Sequence, residues 1–228
     1  MDKVVISIGG SVLVPDENDA DYMKSLSSVL KELSSTHKLF IITGGGRIAR
    51  YYITSGRALG ADEHYLDELG IEVTRLNARL LIKALGDHAY PKPAESFEEA
   101  SKAGESHKIV VMGGTAPGHT TDAVSAILTE KVGAVRLVNA TNVDGVYDSD
   151  PKKNDDAKKF DRMSYEQLRS LSLKKHDRAG PTVIFDPKGA EIIAKAKIPL
   201  YVCHGRDLLA LRNAILAEDF GGTVVSKI

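Results

Sequence analysis

The 228-residue sequence contains a single cysteine, Cys203, and no marked excess of charge of either sign. One cysteine cannot form an intramolecular disulfide or a cysteine-based zinc site, so the composition fits the reducing environment of the cytoplasm. The chain has 30 basic and 31 acidic side chains, which gives a net charge of -1. Because proteins that bind nucleic acids or anionic membrane surfaces usually carry a basic excess, we expect neither kind of partner.

Long hydrophobic runs are also lacking. The apolar stretch before Gly9 is too short for a secretory signal and has no basic start. The other apolar runs, at residues 39–42, 79–85 and 109–112, fall far short of the roughly 20 residues that cross a bilayer. We therefore predict a soluble protein. No linker-like segment divides the chain, and its length suits one compact unit, so we predict a single domain over residues 1–228.

Short β-branched segments alternate with segments of helical periodicity. The predicted strands, each ending at small or polar residues, are residues 4–8, 39–43, 108–112, 135–138 and 200–203. Helical spacing of apolar residues is found at Tyr22, Leu26, Val29, Leu30 and Leu33, at Leu69, Val73, Leu76 and Leu80, and at Val124, Ile127 and Leu128. This alternation predicts an α/β fold with parallel strands and right-handed crossovers. Residues 144–162, rich in charges and turn formers, are predicted to be a solvated loop.

Three of the predicted strands end in glycines, at Gly9-Gly10, at residues 44–46 and at Gly113-Gly114. A single pair can be explained by a tight turn with positive φ. Three such ends favour a sheet edge where backbone N–H groups and helix N-termini approach phosphate oxygens. The sequence has no G-x-x-x-x-G-K-[ST] motif, which excludes a Walker-type phosphate loop.

The second glycine segment also fits a rival template. Gly44, Gly46 and Ala49 match G-x-G-x-x-A between a strand and a helix, with acidic residues roughly 20 positions further on, as in dinucleotide-binding oxidoreductases. That fingerprint normally follows the first strand of its unit, whereas here another glycine pair occupies this place. It also leaves the other two glycine segments unexplained. A nicotinamide-dependent oxidoreductase is kept as an alternative hypothesis.

Several longer motifs occur in order along the chain. They are G-G-S at residues 9–11, G-G-G-R-x-A-R at 44–50, G-x-x-x-T-R-x-N-A at 70–78, M-G-G-T-x-P-G-H-T-T-D at 112–122 and T-N-V-D-G-V-Y-x-x-D-P-K at 141–152. Together they resemble the archaeal-type uridylate kinases of the amino acid kinase superfamily. The resemblance implies an open, mainly parallel sheet sandwiched between helices. It also implies transfer of the γ-phosphoryl group of ATP to UMP with Mg²⁺, giving UDP and ADP for pyrimidine nucleotide (CTP) biosynthesis, in a homo-oligomer that is usually a hexamer built as a trimer of dimers.

The resemblance further implies two sets of site residues. UMP is expected at Gly45, Asp67, Thr115, Ala116, Pro117, Gly118, His119, Thr120 and Thr121, with Asp67 holding the ribose. ATP is expected at Gly9, Gly10, Gly46 and Arg50, with Thr141, Asn142, Tyr147 and Asp150 around adenine and its ribose. The N-terminal part would thus mainly bind UMP and contact other subunits, and the C-terminal part would mainly bind ATP. Opposed glycine segments with a cation between them would align the attacking and leaving oxygens without a covalent intermediate.

Ser7 departs from the pattern, because much of the superfamily has a lysine there that stabilises the transferring phosphoryl group. We expect Arg50 to replace this lysine. Lys188 is a second candidate, with a plain surface lysine as the alternative reading. Asp122, which follows the substrate segment, could orient catalytic groups or Mg²⁺-bound water, or could simply cap its helix. The direct ligands of the metal ion are left unassigned.

The apolar stripe of Leu69, Val73, Leu76 and Leu80 fits either a core or a subunit contact, and the resemblance favours the contact.

Three classes of function remain. They are a nucleoside monophosphate kinase, a nicotinamide-dependent oxidoreductase and a catalytically silent nucleotide-binding regulator. Turnover of ATP in the presence of nucleoside monophosphates separates them.

Overall fold

A computed structural model describes residues 1–15, 19–149, 151, 153–176 and 185–227, without the side chains of residues 174–176. Its strands are β1 (Asp2–Ile8), β2 (His37–Thr43), β3 (Ile109–Met112), β4 (Arg136–Thr141), β5 (Val146–Tyr147), β6 (Lys159–Phe160), β7 (Arg162–Met163), β8 (Leu200–His204) and β9 (Thr223–Val225). Its helices are α1 (Gly10–Leu13), α2 (Ala20–Leu33), α3 (Gly46–Ala58), α4 (Glu63–Leu85), α5 (Phe97–Ser106), α6 (Thr121–Val132), α7 (Tyr165–His176), α8 (Pro187–Ala196) and α9 (Leu208–Leu216), with a 3₁₀ turn at Gly86–His88. Within the described ranges, no helix is long and apolar enough to cross a membrane.

One mainly parallel sheet organises the chain. Its strand order is β3-β2-β1-β4-β8-β9-β7, and each neighbouring pair is parallel except β8 and β9. The predicted α/β fold with a parallel sheet between helices is therefore confirmed. All the predicted strands are present, and none of their ends is displaced by more than three residues. Because the strands are parallel, the carboxyl ends of β1, β2, β3 and β4 meet at one edge of the sheet.

The sheet has a hydrophobic core on each face. Along β1, Val4, Ile6 and Ile8 pack into one core, whereas Val5 between them packs into the other. This alternation follows from the two-residue repeat of a strand. Helices α2, α4 and α9 supply the first core, and α5, α6 and α8 supply the second. A strand buried on both faces is apolar throughout, which is why these strands read as continuous β-branched runs.

Residues 144–162 are not simply the solvated loop that their charges predicted. Strands β5 and β6 form a small antiparallel ladder in which Val146 lies opposite Phe160. Val146 is buried, and its backbone N–H donates to Thr223 Oγ1 at 2.8 Å. The short strand is thus stabilised by contacts with the distant β9 segment, which no local pattern of charges could reveal.

The predicted apolar stripe along α4 is divided between core and surface. Val73 is 6% exposed and belongs to the interior of this chain, so it is not a candidate for subunit contact. Leu76 and Leu80 are 57% and 49% exposed. An apolar surface on α4 therefore remains, but it is narrower than the spacing predicted.

Candidate active site

Two glycine segments, residues 9–10 after β1 and residues 44–46 after β2, pack against each other backbone to backbone. We call them the glycine loops. A Cβ atom on Gly10 would lie 2.2 Å from the Gly46 nitrogen and 2.5 Å from the Gly44 oxygen. Gly46, which starts α3, has a φ of +62°, which favours glycine. Gly10, Gly44 and Gly46 are therefore required for the close approach of the two backbones, and the glycines leave a surface free of side chains at the carboxyl edge of the sheet.

A first cavity of about 370 Å³ opens over the glycine loops. Its lining includes Ser7, Gly9, Gly10, Gly44, Gly45, Gly46, Arg50, Thr121, Asp122, Asn139, Thr141 and Asn142. The structure thus brings together the glycines, the arginine and the β4-end residues that the sequence assigned to ATP. Tyr147 is not part of this lining, and its hydroxyl donates to Asp144 Oδ1 at 2.7 Å. Asp150 lies outside the described residues.

A second cavity of about 170 Å³ lies between α3, α4 and the segment that follows β3. Its lining is Gly45, Gly46, Ala49, Ile53, Asp67, Gly70, Ile71, Thr74, Gly114, Ala116, His119 and Thr121. It contains several of the residues predicted to bind UMP. The two cavities share Gly45, Gly46 and Thr121. Ligands bound in both would therefore meet end to end at these three residues.

The 115–120 loop, between β3 and α6, forms one wall of the second cavity. Its backbone turns at Gly118, where φ is +81°, and the Gly118 N–H donates to Asp67 Oδ2 at 2.7 Å. Thr120 ends the loop and caps α6 by accepting from the Ala123 N–H at 3.1 Å. Asp67 therefore holds the loop through one oxygen, and its predicted contact with the ribose stays a prediction.

The outer side of the 115–120 loop borders a third cavity of about 390 Å³, lined by Thr115 and Pro117 together with residues of α4. Thr115 lines this third cavity and is not part of the lining of the second. Within the described residues, Thr115 Oγ1 and His119 Nδ1 are buried and have no hydrogen-bond partner. Buried polar atoms are usually satisfied, so these two atoms are available to a ligand or a rearranged loop.

Two polar residues of α4 that the sequence reasoning did not single out hold the strand ends in place. Thr74 Oγ1 accepts from the Gly114 N–H at 2.7 Å, and the Thr74 carbonyl accepts from Thr43 Oγ1 at 2.8 Å. Asn77 Nδ2 donates to the Gly44 carbonyl at 2.8 Å. The spacing of three residues puts both side chains on one face of the helix. The available signal was the T-R-x-N-A motif, in which two polar residues stand among apolar neighbours.

Asp122 lies in the wall of the first cavity, in the first turn of α6. Its Oδ2 accepts from the backbone N–H of Asp186 at 3.0 Å. Burial, and then the nearby charge of Asp186, raise the pKa of Asp122 to about 7, although the backbone hydrogen bond acts in the opposite direction. This carboxyl group can therefore exchange a proton near neutral pH.

The cation candidates differ in position. Arg50 lines the first cavity, and its Nη2 lies 3.5 Å from Ser11 Oγ. Lys188 is exposed in the first turn of α8, outside the lining of either cavity, and its side chain makes no ion pair with any described residue. Ser7 is buried in the floor of the first cavity, opposite Asn139 of β4. The geometry thus favours Arg50 over Lys188 for contact with a ligand in that cavity.

Comparison with known proteins identifies the class to which this fold and site belong. Residues 2–204 match the model of the amino acid kinase family, and the chain belongs to that family. Over its whole length it is 48% identical to a uridylate kinase from Methanoculleus marisnigri, covering 97% of that protein. It is 46% identical to a uridylate kinase from Pyrococcus abyssi over 97% of this chain and 99% of that one. The crystal structure of uridylate kinase from Archaeoglobus fulgidus is similar with a TM-score of 0.89 and 42% identity, covering 99% of this chain and 100% of that one. The resemblance read from the motifs is confirmed.

Proposed function

We propose that this chain transfers the γ-phosphoryl group of ATP to UMP, giving UDP and ADP. The observation that carries the proposal is the meeting of two cavities at Gly45, Gly46 and Thr121, because direct transfer requires a donor and an acceptor aligned end to end. The names of the full-length relatives, which are 42% to 48% identical to this chain, supply the substrates.

The first cavity suits the triphosphate of ATP. Its glycine loops offer backbone without side chains, so phosphate oxygens can approach N–H groups closely. Thr141 and Asn142, at the end of β4, would lie towards the nucleoside. Tyr147 and Asp150 are proposed to contact adenine and its ribose.

The second cavity suits UMP. Its walls combine apolar side chains, which can pack against a pyrimidine ring, with Asp67 and His119, which can form hydrogen bonds. Asp67 uses one oxygen for the Gly118 N–H, and the other can accept from a ribose hydroxyl. Thr121, shared by both cavities, would face the α-phosphate of UMP. Thr115, Pro117, Gly118 and Thr120 would act by shaping the loop.

The transferring group carries negative charge that fixed cations stabilise. Arg50 is proposed as the main protein cation, Lys188 as a lesser one, and Asp122 as the group that orients water or reacting oxygens. Among the described residues, no group of three His, Cys, Asp or Glu side chains could hold a metal ion by itself. The oxygen-rich first cavity fits Mg²⁺ held mainly by the phosphates of ATP, and Mg²⁺ bound in this way would neutralise phosphate charge.

We also propose that the chain is a single amino acid kinase domain that works as a cytoplasmic homo-oligomer, a hexamer built as a trimer of dimers, in pyrimidine nucleotide biosynthesis. The exposed leucines of α4, Leu76 and Leu80, support a subunit contact. Sedimentation tests this part. Leu76→Glu should yield a folded smaller species, and a wild-type monomer at micromolar concentration would reject the oligomer.

The experiment that tests the proposed activity measures ADP formed from ATP and Mg²⁺ with UMP, CMP, AMP or no acceptor. We expect UMP to support turnover well above CMP or AMP. Folded protein that makes no UMP-dependent ADP would contradict the proposal. Nucleotide binding without turnover would favour the silent regulator, and reduction of a nicotinamide cofactor by a substrate would favour the oxidoreductase.

A further inference from the structure

Asp186, which precedes α8 and was not assigned to the site, makes hydrogen bonds to three parts of the structure. Its Oδ1 caps α8 by accepting from the N–H groups of Lys188 at 2.8 Å and Gly189 at 3.1 Å. Its Oδ2 accepts from the hydroxyl of Thr120 at 2.5 Å. Its backbone N–H donates to Asp122 Oδ2. One residue therefore connects the start of α8, the end of the 115–120 loop and a carboxylate in the wall of the first cavity.

The starts of α6 and α8 lie against each other, which makes this connection possible. A Cβ on Gly189 would lie 3.2 Å from the carbonyl carbon of Asp122, so only glycine allows this approach without a shift. A helix cap needs only one carboxylate oxygen. The second oxygen of Asp186 is thus not required for α8, and it is directed across the helix pair to Thr120.

We propose that Asp186 is a positioning residue for phosphoryl transfer, which fixes the end of the 115–120 loop relative to Asp122 and the start of α8. The inference rests on the proposed function. The 115–120 loop has a second side-chain anchor, the bond from Gly118 to Asp67, but that anchor lies on the α4 side. Asp186 is the anchor on the α8 side, next to Thr121, where the two cavities meet.

Loss of this anchor should affect the acceptor more than the donor. The loop lines the second cavity through Ala116 and His119, whereas the first cavity is walled by the glycine loops. A loop that is free at its Thr120 end should hold UMP less well and place its phosphate less accurately. The Michaelis constant for UMP should therefore rise and kcat should fall, while the Michaelis constant for ATP should hardly change.

The test uses Asp186→Ser, because serine is also a good helix cap but is too short to reach Thr120. We expect the Michaelis constant for UMP to rise roughly tenfold, since the lost bond is to a charged group, and that for ATP to change less than about twofold. Asp207→Ser is the matched control. Asp207 caps α9 through the Ala210 N–H, away from both cavities, so its replacement should leave both constants unchanged.

A double-mutant cycle with Thr120→Val makes the test specific, because this change removes the donor of the same bond. It also removes the cap of α6 at the Ala123 N–H, but that loss is common to both Asp186 backgrounds and cancels in the cycle. The Michaelis constant for UMP should be little higher in the double variant than in the more impaired single variant. Additive losses, or equal changes for ATP and UMP, would overturn the positioning role. If Asp186→Ser fails to fold, Thr120→Val alone must raise the Michaelis constant for UMP and spare that for ATP, and an unchanged UMP constant rejects the proposal. A wild-type protein without UMP-dependent ADP formation would instead overturn the proposed function itself.

Discussion

The glycine loops and the 115–120 loop border the same site but are held by different kinds of contact. The glycine loops touch backbone to backbone, so close that a single methyl group on Gly10 would overlap Gly46. The 115–120 loop is mostly exposed, and the side chains of Asp67 and Asp186 hold it. The region that would face phosphates is therefore fixed by contacts between main-chain atoms, and side-chain substitutions cannot easily change its shape. The region that would face the acceptor base depends on side chains and can change without loss of the fold.

The largest effect that separates these two regions should come from glycine replacement. Gly10→Ala places a Cβ 2.2 Å from the Gly46 nitrogen, so we expect the free energy of unfolding to fall by about 3 kcal/mol. At Gly118→Ala, no atom of the described residues lies within 4 Å of the added Cβ, so the change should cost only about 1 kcal/mol, for its positive φ. Urea denaturation measures both values. Equal losses would show that backbone packing does not hold the glycine loops more tightly than side chains hold the 115–120 loop.

Arg50 tests the phosphate side through charge. Because a fixed cation stabilises the phosphoryl group in flight more than the ground state, Arg50→Ala should lower kcat by roughly a hundredfold to a thousandfold and change the Michaelis constant for UMP much less. Arg50→Lys should recover only part of the loss, since an ammonium group lacks the two-pronged guanidinium contact. Steady-state kinetics of both variants and of Lys188→Ala provide the comparison. Near-normal turnover in Arg50→Ala with none in Lys188→Ala would reverse the two assignments.

Substitution of Asp67 tests the 115–120 loop, which side chains hold in place. Asp67→Ala removes both the bond to the Gly118 N–H and the proposed ribose contact, so kcat/KM for UMP should fall about tenfold to a hundredfold. Asp67→Asn keeps an oxygen that can accept from Gly118, and it separates the two roles. If only loop anchoring matters, asparagine should restore UMP kinetics. If the ribose contact matters, asparagine should remain impaired and should discriminate less between UMP and its deoxy analogues. An equal loss for ATP in Asp67→Ala would return Asp67 to a structural role.

A smaller effect is expected from Asp122, in the dependence of stability on pH. Burial raises its pKa in the folded protein to about 7 from an ordinary value of 3.8. The folded protein therefore holds the proton of Asp122 more tightly than the unfolded chain does. The contribution of Asp122 to stability is fully present below about pH 4 and is lost as the pH rises towards 7. The Asp122→Asn variant stays neutral at every pH. Between pH 4 and 8, the unfolding free energy of the wild type should therefore fall relative to that of the variant by about 2 kcal/mol. This is roughly half of what the full pKa shift would give, because the side chain borders an open cavity. Denaturation at a series of pH values measures the difference, and parallel pH profiles would contradict the raised pKa.

The sequence predicted the strands, their parallel pairing and the glycine-rich edge, because each depends on local patterns such as continuous apolar runs and glycines at strand ends. It could not distinguish Val73 from Leu76, since both fit one apolar stripe and only packing within the chain buries the first. Asp186 read as part of an ordinary helix start. Its second carboxylate oxygen can accept a hydrogen bond from Thr120, 66 residues away in sequence, only because the fold brings the starts of α6 and α8 together.

Donor and acceptor are proposed to lie in the two adjoining cavities and to react directly. The stereochemistry of transfer tests it, with ATP analogues whose γ-thiophosphate is made chiral by oxygen isotopes and UMP as the acceptor. One in-line displacement inverts the configuration at phosphorus. We therefore expect inversion in the UDP product, whereas net retention would require a phosphorylated enzyme intermediate and would contradict the account.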